Sequence, residues 1–137
     1  MTDEYRGRMD DRTRKIVRVL ALLIGLRSFS NLFKPFGAGT GLVFFGVLLE
    51  GVANTILAPL FGVFMLTLAW AAWNFRSFAL PMSVAYAAYV PLNMVLFAVA
   101  NELPDFPLIF GVLYLLVGVG TTAGLTALLY RHRDLLR

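Results

Sequence analysis

The sequence predicts an all-α integral membrane protein, in which an N-terminal amphipathic, interfacial helix precedes a bundle of four transmembrane helices. Three observations lead to this fold class. The 137 residues are 59% apolar and 15% charged, whereas soluble domains are roughly 45–50% apolar and about 25% charged. The mean hydropathy is +0.76. The charged residues lie mostly in two end segments, and long apolar stretches fill the interval between them.

The two end segments predict solvated tails. Residues 1–15 form a charged arm with acidic and basic residues, and residues 131–137 form a short basic tail. No Ala-x-Ala cleavage pattern follows the first apolar stretch, so we expect the N-terminal arm to be retained.

The first apolar stretch, residues 16–34, predicts an amphipathic helix on the cytoplasmic membrane surface. Its apolar part is interrupted by Arg18 and is shorter than the about 20 residues that cross a bilayer. Small and polar residues share one helical face: Arg14, Arg18, Ala21, Gly25 and Ser28. The basic residues expected at lipid head groups are Arg14, Lys15, Arg18, Arg27 and Lys34. In an alternative interpretation this segment crosses the membrane and residues 35–49 are re-entrant.

Residues 39–75 predict a first helical hairpin. The segment is too long for one straight span, and Asn54 and Pro59 favour a break in the helix. We therefore expect one helix from about Gly39 to Ile56 and a second from about Pro59 to Phe75.

Residues 80–130 predict a second helical hairpin, with an acidic turn at residues 101–107 that contains two prolines. If both hairpin turns lie outside, all twelve Lys and Arg residues lie on the cytoplasmic side. Trp70, Trp73 and Tyr130 then lie where an aromatic belt occurs at the inner interface. The sequence therefore predicts the plasma (inner) membrane, with both termini cytoplasmic.

Five polar residues inside the apolar stretches form the candidate binding site. Glu50 stands out, because a carboxylate is costly to bury in a membrane and such residues commonly have a function. Asn54 follows Glu50 by one helical turn. Tyr86, Tyr89 and Asn93 have the spacing i, i+3, i+7 and share one face of the third predicted span.

Small residues in the last apolar stretch predict close helix packing. Gly120 and Gly124 have the small-xxx-small spacing that lets two helix backbones approach, and Gly118 and Thr122 repeat that spacing on an adjacent face. The partner is either another helix of the same bundle or a second copy of the chain.

Catalytic and metal-binding motifs are missing from the sequence, which has no Cys and one His, His132. We therefore expect no enzyme, no cofactor and no metal site. The basic tails flank apolar helices, so we expect membrane lipids, other integral membrane proteins or a second copy as partners, and not nucleic acid. The predicted function is an accessory or scaffold protein. The alternative is a small oligomeric transporter or channel with Glu50 as a proton or cation site, and an enzyme acting on lipid ranks third.

Overall fold

Four α-helices dominate the computed structural model, which describes residues 9–33, 41–100 and 108–137. The helices are α1 (Asp11–Phe33), α2 (Gly51–Trp73), α3 (Ala79–Ala100) and α4 (Leu108–Arg131). A two-stranded antiparallel hairpin, β1 (Val43–Phe44) and β2 (Val47–Leu48), precedes α2, and a 3-10 turn, Arg133–Leu135, follows α4. Within the described ranges, α1, α2 and α3 are long and apolar enough to cross a membrane.

An aspartate cap sets the start of α1. Asp10 Oδ2 accepts a hydrogen bond from the Thr13 amide at 3.2 Å, and the Asp10 carbonyl accepts one from the Arg14 amide at 3.0 Å. Hydrogen bonds from the Thr13 side chain and backbone lower the pKa of the Asp10 carboxyl. Because these amides have no partner inside the helix, the cap stabilises a start at Asp11, earlier than the predicted residue 16.

The helices α1 and α2 pack against each other in antiparallel directions. Arg18, near the start of α1, lies over the ring of Trp73 at the end of α2. Gly62, near the middle of α2, lies against Leu32 at the end of α1, so closely that a Cβ atom on Gly62 would be 2.8 Å from Leu32 Cγ. The glycine therefore permits the close approach of the two helices.

The packed face of α1 is the one that the sequence marks as small and polar. Ala21 and Ser28 are buried, and a Cβ atom on Gly25 would lie 3.5 Å from the Ala69 side chain of α2. The predicted helix at residues 16–34 thus belongs to a bundle through its small residues. Its lipid-facing side carries large apolar residues such as Leu22 and Leu26.

The predicted helix from Gly39 to Ile56 is wrong over the described residues 41–50, which form the hairpin. Its two-residue loop consists of Phe45 at φ 47° and Gly46 at φ 80°, the positive angles of a type I′ turn. The Leu49 amide donates to the Leu42 carbonyl at 2.8 Å and extends the ladder. Residues 41–50 therefore do not form part of a membrane-spanning helix, and the re-entrant alternative stays a prediction.

The predicted break at Asn54 to Pro59 is also wrong, because α2 begins at Gly51 and continues through Pro59. Proline lacks the amide that would donate to the Thr55 carbonyl, which costs one helical hydrogen bond. Helices in membranes tolerate this loss where neighbouring groups satisfy the backbone. Pro91 lies inside α3 in the same way.

The described chain ends meet the turn between α2 and α3 at one end of the bundle. The Ser77 amide donates to the Arg137 carbonyl at 2.7 Å, and the Arg137 amide donates to the Phe75 carbonyl at 2.9 Å. Met9 is buried beside them. We call this the basic end, since Arg76 and the tail arginines are there, and we call the opposite end, with β1 and β2, the hairpin end.

The apolar core joins all four helices. It contains Val17 of α1, Met65 and Leu68 of α2, Ala79 of α3 and Leu125 of α4, all buried. Burial of these apolar side chains stabilises the bundle, and the small residues let α1 and α2 approach closely enough to pack them.

Candidate functional site

Three of the five predicted site residues hold the backbone of the hairpin. Asn93 Oδ1 accepts a hydrogen bond from the Gly46 amide at 2.9 Å, and its Nδ2 donates to the Val43 carbonyl at 3.1 Å. The Tyr89 hydroxyl donates to the same carbonyl at 3.1 Å. Asn54 Oδ1 accepts from the Leu42 amide at 2.8 Å. We call Asn54, Tyr89 and Asn93 the hairpin cradle.

The cradle replaces hydrogen bonds that a two-residue strand cannot supply by itself. Backbone amides and carbonyls in an apolar surrounding need hydrogen-bond partners. In lipid, each group without a partner costs several kcal/mol, which is on the order of the free energy of moving that group from water to hydrocarbon. Aromatic rings add packing, with the Phe45 and Tyr89 rings 5.4 Å apart in an edge-to-face arrangement. The cradle therefore lets a non-helical segment lie against α3.

Gly46 lets the turn pack directly against the backbone of α3. It is buried, and a Cβ atom there would lie 2.6 Å from the Leu96 Cβ and 2.7 Å from the Leu96 backbone carbon. The predicted helix from about Gly39 to Ile56 includes Gly46. The structure instead places Gly46 in a turn, where its positive φ and its contact with Leu96 both favour glycine.

Tyr86 lies one turn from the cradle and belongs to a different contact. It is 3% exposed, and its hydroxyl lies 3.8 Å from Met65 Sδ. Asn31 of α1 donates to the same sulfur from Nδ2 at 3.3 Å. Sequence reasoning missed Asn31 and Met65, although Asn31 follows the buried Ser28 by three residues and so shares its helical face.

Glu50 does not join the polar residues of α3. It is the N-cap residue of α2, its side chain is exposed, and it makes no side-chain cap hydrogen bond. Its backbone carbonyl accepts a bond from the Asn54 amide at 3.4 Å. The structure therefore separates the predicted carboxylate from the cradle.

The predicted packing residues of α4 divide between two faces. Gly118 and Thr122 are buried, and the Thr122 hydroxyl donates to the Gly118 carbonyl at 3.0 Å. A Cβ atom on Gly124 would lie 3.8 Å from Leu20 of α1, whereas Gly120 has no atom near enough to meet one. Gly120 therefore lies on an open face of α4, and a closer helix contact is at Gly62, which the sequence analysis does not single out.

The predicted head-group residues do not form one continuous surface. Arg14 and Arg18 line a pocket at the basic end, while Lys15 is exposed and Arg27 is half-buried in the second half of α1. Lys34 lies outside the described residues.

Cavities of the described residues lie beside α1 and α2, at the α1–α2 contact and at the basic end. An apolar groove of about 280 Å³ runs between α1 and α2, and its walls include Gly25, Phe29, Ala69, Trp70 and Trp73. A polar pocket of about 530 Å³ lies at the basic end. We call the second cavity the basic pocket, since its lining includes Arg14, Arg18, Asn74, Asp134 and Arg137.

The described residues contain no group of three or more His, Asp or Glu side chains that would hold a metal. Their buried side-chain nitrogen and oxygen atoms all have hydrogen-bond partners. No protein-family model, no curated protein and no solved structure matches this chain.

Proposed function

We propose that this chain is an accessory or scaffold component of a membrane, which binds other membrane proteins or lipid through its helix faces. One observation carries the proposal: the polar side chains best suited to a substrate site are used to hold the hairpin. Asn93 and Tyr89 both bind hairpin backbone atoms. Large apolar residues remain exposed on the outer sides of the described helices.

The open face of α4 is the surface that we expect to bind another membrane protein or a second copy. Leu113 and Leu116 are 50% and 66% exposed, and Gly120, Ala123 and Ala127 continue the same exposed stripe. Small residues within an apolar stripe let a second helix approach closely. The buried face of α4, with Leu125, packs inside the bundle.

The proposed placement is the plasma (inner) membrane with the basic end in the cytoplasm. The described arginines of the α2–α3 turn and of the tail lie at this end, which fits the positive-inside rule. Since the sequence has no Cys, single cysteines report orientation cleanly. An impermeant maleimide added outside should label Asn101→Cys and not Arg133→Cys.

A photo-reactive amino acid at Leu116 tests the scaffold function in the native membrane. The matched control is Leu125 of the same helix, which is fully buried. We expect a discrete protein adduct at Leu116, of reproducible mass, and none at Leu125. An absence of protein and lipid adducts at Leu116 and at exposed positions of the other helices would overturn the proposal.

The transporter alternative requires Glu50 to bind a proton or a cation at a site inside the bundle. Its exposed side chain at the start of α2 gives that alternative no structural support among the described residues. It stays a prediction, and proton or cation flux into liposomes that contain wild-type or Glu50→Gln protein tests it. pH-dependent flux that the substitution abolishes would replace the scaffold proposal.

A further inference from the structure

The apolar groove and the basic pocket are neighbours along the same side of α1 and α2. On α1, Arg14 and Arg18 line the pocket and Gly25 and Phe29 line the groove. The spacing of these residues, i, i+4, i+11 and i+15, keeps them on one helical face. On α2, Trp73 lines the groove and the next residue, Asn74, lines the pocket. The two cavities therefore form one apolar-to-cationic surface.

An arginine–tryptophan contact marks the boundary between the cavities. The guanidinium carbon of Arg18, which lines the pocket, lies 5.3 Å from the ring centroid of Trp73, which lines the groove. Cation–π contacts of this kind hold the guanidinium group in place. The charge of Arg18 therefore lies where the apolar lining of the groove ends and the pocket begins.

The charge of the basic pocket favours an anion. Arg14, Arg18 and Arg137 line it, against one acid, Asp134. Asp134 also has a cationic neighbour of its own, since Arg133 Nε lies 4.0 Å from its Oδ1. The net charge of the lining is therefore positive, and guanidinium groups match the paired oxygens of a phosphate.

We propose that the groove and the pocket together bind one anionic phospholipid, with its phosphate in the basic pocket and an acyl chain in the apolar groove. Basic pockets at the cytoplasmic side of transmembrane helices have the chemistry to bind anionic head groups. The pocket volume of about 530 Å³ lies within the ~300–1,000 Å³ range of small-molecule sites. The proposal deepens, and rests on, the lipid-binding part of the proposed function.

The two tryptophans of the chain both line the groove and provide the measurement. Purified full-length protein in a neutral detergent is titrated with phosphatidylglycerol or phosphatidylcholine that carries bromine atoms on its acyl chains. Bromine quenches tryptophan on contact. We expect saturable quenching with phosphatidylglycerol, and half-saturation with phosphatidylcholine at a roughly tenfold or more higher concentration, because the phosphocholine head group has no net charge.

Two pairs of substitutions on α1 separate the pocket from general charge. Arg14→Gln/Arg18→Gln removes two pocket arginines, while Arg12→Gln/Lys15→Gln removes the same charge from positions that do not line the pocket. The first pair should weaken phosphatidylglycerol binding by about tenfold or more, through loss of charge-assisted hydrogen bonds. The second pair should leave it within about twofold. Arg14→Gln alone, which keeps the Arg18–Trp73 contact, should weaken binding in the same direction.

Soluble competitors distinguish a lipid site from a site for free phosphate. Glycerol 3-phosphate and inorganic phosphate lack acyl chains, so neither should displace the brominated lipid at millimolar concentration. Displacement by either one would overturn the lipid assignment in favour of a soluble anion. Equal quenching by the two lipids, or equal loss in both pairs of variants, would overturn the pocket itself. Neither result would affect cross-linking at Leu116, so the scaffold proposal is tested separately.

Discussion

Two regions of the bundle are held together by different interactions. Along the α1–α2 contact, the helices meet through small residues, with Gly25 against Ala69 and Ser28 fully buried. At the hairpin end, the contacts are hydrogen bonds between the side chains of Asn93 and Tyr89 and backbone atoms 46 to 50 residues away in sequence, with Asn93 both accepting and donating. Close packing is sensitive to added volume, and hydrogen bonding is sensitive to a single lost atom.

The comparison shows why one segment of an apolar chain is helical and another is not. Within a helix the backbone amides and carbonyls bond to one another, so α2 needs from the neighbouring helices mainly side chains that pack against it. The segment at 41–50 needs partners from other elements, and Asn54 and Asn93 supply them. A polar residue in an apolar helix can therefore support a neighbouring segment rather than a ligand.

The largest expected effect is at Gly62, where added volume meets α1. Gly62→Leu should destabilise the protein by about 3 kcal/mol, because even a Cβ atom would lie 3.2 Å from the Ser28 carbonyl oxygen and closer still to Leu32. Gly120→Leu is the matched control, since a Cβ atom there meets nothing within 4 Å. Reversible unfolding in sodium dodecyl sulfate measures both. Equal destabilisation by the two variants would contradict the assigned α1–α2 contact.

At the hairpin end, Asn93→Ala should cost about 2 kcal/mol, because it leaves the buried Gly46 amide without its acceptor. Hydrogen–deuterium exchange should increase within residues 41–50 and change little in α2. The control is Asn74→Ala, whose exposed side chain binds only within its own helix, to the Trp70 carbonyl. Unchanged exchange in the hairpin would show that the cradle does not hold it.

Tyr89→Phe should have a smaller effect, about 0.5–1 kcal/mol, since it removes one hydroxyl and keeps the ring. The Val43 carbonyl retains its bond from Asn93. In the double variant with Asn93→Ala that carbonyl loses both donors, so the total loss should exceed the sum of the two single losses. Strict additivity in a double-mutant cycle would argue against a shared acceptor.

The smallest effect concerns Asp10 and pH. Its folded-state pKa is lowered, chiefly by the hydrogen bonds from Thr13. The cap therefore stabilises the start of α1 fully above the ordinary pKa of an aspartate, and the contribution is lost as pH falls through the lowered pKa. The chemical shift of the Thr13 amide should titrate below that ordinary value, and Asp10→Asn should remove the transition. A midpoint at or above the ordinary value would contradict the cap.

Several features of the fold follow from the sequence, and others depend on contacts between distant residues. Apolar length predicts helices near α3 and α4, and three described helices are apolar enough to cross a membrane. The hairpin at 41–50 could not be predicted from the sequence, because Val43, Phe44 and Val47 suit both a strand and a membrane helix. The prediction of a break at Pro59 was wrong, since whether a proline lies in a turn or inside a helix depends on the neighbouring helices.

The candidate site was predicted in part. The sequence places Tyr89 and Asn93 on one face, and the structure uses both on the hairpin. The prediction adds Glu50 as a buried carboxylate on a helix from Gly39 to Ile56, but no helix forms at 46–50. The face of α1 with Gly25 and Ser28 was identified from spacing, while its partner Gly62 required knowledge of which helices meet.

The long separation in sequence between the hairpin and its partners has a consequence for biosynthesis. The Val43 carbonyl and the Gly46 amide leave the ribosome before Tyr89 and Asn93, their partners on α3, have been synthesised. Until α3 is inserted, those backbone groups must bind water or the insertion machinery. The hairpin therefore completes its hydrogen bonds only after α3 arrives, and a chain truncated before Tyr89 would leave the Val43 carbonyl and the Gly46 amide without these partners.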